Sequence, residues 1–223
     1  MSYFTEDFID FFSELEVNNN KGWFDDNRKR YENNVREPYK AFIEDLILEI
    51  QKTGAKMDVE MKHCVFRINR DIRFSKDKTP YKPYASAAIA NGGKKATDDP
   101  GLYLAFSGRY ATIGGGAYGI DKENLYFLRD YIFNHQEKFR KIIDAKPFKA
   151  MFGEIRGDRN KIIPKEFKPA LEIVPEIANK HFYYMHDNDP KIVLKKDIME
   201  YVMEHWHNAT EVREFLKTGL TSS

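Results

Sequence analysis

The run Cys64-Val65-Phe66-Arg67-Ile68-Asn69-Arg70-Asp71-Ile72-Arg73-Phe74 decides the fold class, because the hydrophobic period changes here. Upstream, Phe42, Ile43, Leu46, Ile47 and Ile50 recur at helical spacing, whereas inside the run apolar residues recur at every second position. Phe66, Ile68, Ile72 and Phe74 fall on one face and Arg67, Asn69, Asp71 and Arg73 on the other, which predicts a strand over 64–74 with one covered face. Arg70 violates the alternation. A guanidinium among apolar neighbours requires a carboxylate from another element or an anionic ligand, unless a bulge after Asn69 turns it to the solvent side.

Outward from this run, the chain reads as helices, then strands, then helices. On the N-terminal side, Thr5 caps a helix carrying Phe8, Phe12 and Leu15, and Asn18-Asn19-Asn20 ends it. Phe24, Arg28, Tyr31 and Val35 form a second helical stripe, and Pro38 opens a third helix that stops at Gly54. On the other side, strands are expected at 84–90, 102–106 and 110–113, the last two joined by Ser107-Gly108. Asn91 to Gly101 reads as an exposed loop, and Asp121 caps a helix running to Pro147. Prolines 164, 169 and 175 limit 148–180 to turns and short pieces; strands at 181–186 and 192–194 follow. The C-terminus is helical again, with a restart at Asn208. This order predicts an α+β fold, a mainly antiparallel sheet flanked by N-terminal and C-terminal helices, in one domain over 1–220 with a loose tail at 221–223.

Composition narrows the function classes. With 36 basic and 35 acidic residues the net charge is +1, so any attraction to nucleic acid or anionic lipid must come from a local patch. One cysteine, Cys64, excludes an internal disulfide framework and a cysteine-cluster metal site. No apolar run approaches the ~18 residues of a membrane span, and acids stand near Met1 where a secretory leader has basic residues. A cytoplasmic protein without membrane partners is the expectation. The six histidines are not spaced as a metal site, so no metal is assigned, and no pattern names a cofactor or an oligomeric state.

The candidate site extends the opening run. From Arg67 to Lys82 six cations, three hydroxyl side chains and two carboxylates occur in sixteen residues, a mix suited to holding an oxyanion. The candidate ligand-binding residues are Arg67, Arg70, Asp71, Arg73, Lys76, Lys78, Tyr81 and Lys82, with Pro80 and Pro83 stiffening the loop. If a reaction occurs, Asp71 or Asp77 is the nearest general base. Two alternatives stay open: a weak, salt-dependent nucleic-acid module stacking bases on Tyr81, Tyr84 or Trp23, and a structural motif whose cations pair with its own acids. Gly114-Gly115-Gly116-Ala117-Tyr118-Gly119 matches G-x-G-x-x-G literally, but it follows a hairpin rather than opening a parallel unit; a bulge or a close backbone approach, on one wall of the same cleft, fits better.

Arg67-x-x-Arg70-Asp71-x-Arg73-Phe74-x-Lys76-Asp77-Lys78-Thr79-Pro80-Tyr81-Lys82 resembles the signature of the bacterial domain of unknown function 2461 family. Asn18-Asn19 with Trp23-Phe24 and Tyr31, Gly101-Leu102-Tyr103, and Gly114-Gly115-Gly116 are similar to three further parts of that family's pattern, and Glu166 stands where the pattern prefers glycine. The resemblance implies a one-domain α+β fold and an important basic segment. It carries over no activity, substrate or catalytic residue.

Overall fold

Apolar stripes, caps and prolines set the N-terminal helices in the computed structural model, which describes residues 2–97 and 99–221. Helix α1 (Glu6–Val17) buries Phe8, Phe11, Phe12 and Leu15, and Asn20 caps α2 (Lys21–Asp26) by accepting the Trp23 N–H. The stripes expected to make two helices merge: α3 (Arg28–Tyr31) passes through a π-helical turn at Glu32–Arg36 directly into α4 (Glu37–Lys52). Pro38 supplies the reason. It has no N–H to donate and its ring crowds the preceding turn, so the backbone widens there without stopping. Helix α4 ends before Gly54, whose φ of 84° suits glycine.

Four antiparallel strands lie in the order β1 (Tyr84–Ile89), β2 (Gly101–Ser107), β3 (Ala111–Ala117) and β4 (Phe182–Asn188). Separate helical segments on one such sheet make this an α+β fold. The register places Leu104 opposite Ala87 and Ile113, and Gly115 opposite Tyr184, so one face carries Ile89, Leu102, Leu104, Phe106, Ile113, Phe182 and Tyr184. Helices bury that face in two cores. Over β1 and β2 lie α1, α4 and α9 (Ile198–Asn208); over the β4 side lie α6 (Lys122–Asn134), α7 (Gln136–Ile143), α8 (Lys146–Phe152) and α10 (Thr210–Thr221). The opposite face carries Ser86, Ala88, Tyr103, Ala105, Thr112, Gly114, Gly116, Tyr183 and Met185, small residues among tyrosines.

Several expectations need correction. The strand over 64–74 does not form: Met61–Cys64 is a short helix, α5, and the rest touches the sheet edge only through isolated bridges from Val65 to Ala87 and from Asn69 to Tyr81. The partner segment contains Pro80 and Pro83, which cannot donate to a ladder, so pairing stops after single bonds such as Phe66 N–H to Ser86 O and Lys82 N–H to Ile68 O. Phe74, assigned to the apolar face, is 95% exposed. The strand at 192–194 is a 3₁₀ turn (Pro190–Leu194), and the helix expected to run from Asp121 to Pro147 breaks at His135. Thr221, expected in a loose tail, is helical; Ser222 and Ser223, like Met1 and Asp98, lie outside the described residues.

Candidate functional site

The sixteen-residue basic segment forms an edge loop with two chemically different ends. At its tip the two arginines are matched by the loop's own carboxylates. Arg70 donates to the Asp77 carboxylate at 2.5 Å, to the Thr79 hydroxyl and to the Thr79 carbonyl at 3.2 Å. Its partner thus comes from the same loop rather than from another element, because without a regular strand Arg70 is not driven into the core. Arg73 grips Asp71 through two bonds of 2.9 and 2.7 Å, and Lys78 donates to the Ile72 carbonyl at 2.9 Å. Lys76 is exposed. The Thr79 N–H, then Arg70 and the Thr79 hydroxyl, hold the Asp77 carboxyl down at about 2, and the Arg73 bonds lower Asp71 as well. Neither is poised to take a proton near neutral pH.

Between tip and base, Tyr81 is packed into the core. It is 5% exposed, stacked on Phe24 with ring centroids 4.0 Å apart, and its backbone is clamped by Asn19, which donates to Tyr81 O at 2.9 Å and accepts from Tyr81 N–H at 3.1 Å. The loop is therefore pinned to the α1–α2 corner. Base stacking cannot use this ring.

At the base the cations are unmatched. Among the described residues, no carboxylate forms an ion pair with Arg67, Lys82 or Lys94. The Lys82 ammonium lies 5.0 Å over the Phe66 ring. Partial burial first, then the charges of Arg67 and Lys94, lower its pKa below the ordinary lysine value. Lys94 reaches this place because Gly92 and Gly93 turn with positive φ; a Cβ on Gly93 would meet the His63 carbonyl oxygen at 2.4 Å. Its ammonium donates to Val65 O at 2.8 Å and Lys62 O at 3.3 Å, tying the 93–95 turn to α5.

Two clefts of about 550 Å³ each meet at Phe66 and Lys94. One runs beside α4, where Arg36, Lys40, Lys62 and Arg67 join the lining; the first three also pair with Glu32, Glu37 and Glu60. The other crosses the uncovered sheet face between Phe66 and Lys94 on one side and Tyr118 and Tyr183 on the other, with Gly115 and Gly116 in its wall. The glycine run thus lies in an antiparallel strand, and Gly116 with φ of 112° needs glycine, so the dinucleotide fingerprint does not apply.

The sequence reading missed Lys94, Arg36, Lys40 and Phe66. Arg36 and Lys40 are four residues apart on one helix, a legible stripe, but nothing local shows that it faces the loop. The remaining candidates are structural. Cys64 is buried and its thiol is pushed up to about 11 by burial. His205 is held neutral, down at about 4 by burial, with its Nδ1 2.8 Å from Tyr201 O and its Nε2 2.7 Å from His186 Nδ1. Among the described residues no helix is long and apolar enough to cross a membrane.

No curated protein matches the chain. The profile described as "Conserved hypothetical protein (DUF2461)" matches residues 7–215, including the edge loop, both clefts and nearly all of both cores. With that match spanning most of its 223 residues, the chain belongs to the domain of unknown function 2461 family.

Proposed function

We propose that the protein binds a phosphate-bearing or other anionic ligand at the base of the edge loop, through Arg67, Lys82 and Lys94. One observation carries this reading: a half-buried lysine is held beside two other cations without an ion-paired carboxylate among the described residues, an arrangement that an anion would stabilise. The contrast with other buried cations supports it. Arg129 is satisfied by the carbonyls of Ile177 and Asn179, and Arg213 by the carbonyl of Trp206. The internal salt-bridge alternative describes the tip of the loop and leaves the base unexplained. The nucleic-acid alternative loses one of its three stacking groups, since Tyr81 is enclosed, and keeps the half-buried Tyr84 and Trp23. The reading treats 1–220 as one unit because both cores rest on one sheet. It places the protein in the cytoplasm and assigns no reaction to Asp71 or Asp77.

Calorimetric titration with inorganic pyrophosphate tests the proposal on the wild type, Lys82→Met and Arg73→Ala at low and physiological salt. Binding by the wild type, at least tenfold weaker in Lys82→Met and unchanged in Arg73→Ala, is the expected result. Absence of binding in the wild type, or an equal loss in both variants, contradicts it.

A further inference from the structure

We propose that the anion is the phosphate of a mononucleotide and that its base lies in the cleft on the uncovered sheet face. This rests on the anion site proposed above and extends it across the shared wall formed by Phe66 and Lys94. The sheet explains the shape of the cleft. Ala88, Gly101 and Gly116 line it beside Tyr103 and Met185, so small positions alternate with large side chains along the face. The Tyr103 hydroxyl is pushed up to about 12, chiefly by burial.

The far wall offers aromatic faces. Tyr118 is 66% exposed, yet it is not loose: its ring stacks on His181 at 4.2 Å and meets Tyr183 edge-on at 5.9 Å. His181 is itself fixed, its Nδ1 accepting the Gly119 N–H at 3.1 Å. A tyrosine held in place at the mouth of a cleft while two-thirds exposed is a stacking platform for a planar ring. The hydroxyls of Tyr118 and Tyr183 bond no other described residue, which leaves both available to the edge of a base.

Charge selects the phosphate-bearing form. Among the described residues, the cleft's ionisable lining besides tyrosine is Lys94 and Asp99, and Asp99 is already engaged by Lys217 at 2.8 Å and by the Asn91 backbone at 2.7 Å. What remains is the positive charge of Lys94, with Lys82 and Arg67 beyond it. The volume of about 550 Å³ falls among small-molecule sites, ~300–1,000 Å³, a size that suits a single nucleotide.

Calorimetric titration separates this inference from the anion site beneath it. The ligands are AMP, UMP, adenosine, inorganic phosphate and a single-stranded decathymidylate; the proteins are the wild type, Tyr118→Ala, Tyr118→Phe and Lys82→Met. The expected result is that AMP binds the wild type at least tenfold more tightly than either phosphate or adenosine. Tyr118→Ala should lose that advantage while keeping phosphate affinity, Tyr118→Phe should retain most of it, and Lys82→Met should weaken AMP and phosphate alike. If AMP and UMP bind no better than phosphate, the nucleotide inference falls and the anion site stands; if none of the anions binds, both fall. Tighter binding of the oligonucleotide than of AMP would overturn the mononucleotide assignment.

Discussion

The tip and the base of one edge loop carry the same kinds of cation in opposite states. At the tip, Arg70 and Arg73 reach Asp77 and Asp71 within a few residues, so each charge is neutralised locally by geometry that the loop itself supplies. At the base, Arg67 and Lys82 meet Lys94, brought in by a glycine turn, and among the described residues no carboxylate pairs with any of them. A dense basic motif is therefore not one site. Its exposed pairs add little to stability or binding, and the unmatched cations are where an anion gains most.

The contrast can be broken at the hinge between the two ends. Tyr81→Ala removes a buried ring stacked on Phe24, and we expect a loss of about 3–5 kcal/mol in urea unfolding. A loss below about 1 kcal/mol would mean that the loop is not anchored there. Asn19→Ala deletes both side-chain bonds to the Tyr81 backbone and should cost about 1–3 kcal/mol by the same measurement. Arg67→Ala should leave the urea midpoint nearly unchanged while weakening pyrophosphate at least tenfold, which sharpens the distinction between anchoring and binding. Smallest of all, Arg73→Ala should change neither, because its pair with Asp71 stands in solvent.

The helices and the β-meander were legible because their signals are local: the stripe of Phe42, Leu46 and Ile50, the Asp121 cap, and the short Ser107-Gly108 turn. The strand over 64–74 was not, because alternation describes only one side of a ladder. Its would-be partner carries Pro80 and Pro83, and Phe74 follows the period yet faces water. In the site, Arg67 and Lys82 were legible by residue type as cations, but their meeting with Lys94 was not. Tyr81 reads in the sequence as a contact group because it is an aromatic inside a polar motif, whereas its ring packs on Phe24, 57 positions earlier. Lys94 lay in what read as an exposed loop; its approach depends on the backbone freedom of Gly93 against α5, which no periodicity reports.

The most direct measurement is the titration of the Lys82 side-chain amine, followed by NMR of selectively labelled lysine with and without inorganic phosphate. The account predicts a pKa below the usual lysine value in the free protein, because partial burial and the neighbouring charges of Arg67 and Lys94 disfavour the ammonium, and an upward shift when phosphate is added. The sign extends to folding. A lysine with a depressed folded pKa binds more protons when unfolded, so wild-type stability relative to Lys82→Met should rise as pH increases from the folded pKa to the unfolded one, about 10.5. A Lys82 amine that titrates at its ordinary value and ignores phosphate would contradict the central claim that the base of this loop binds an anion.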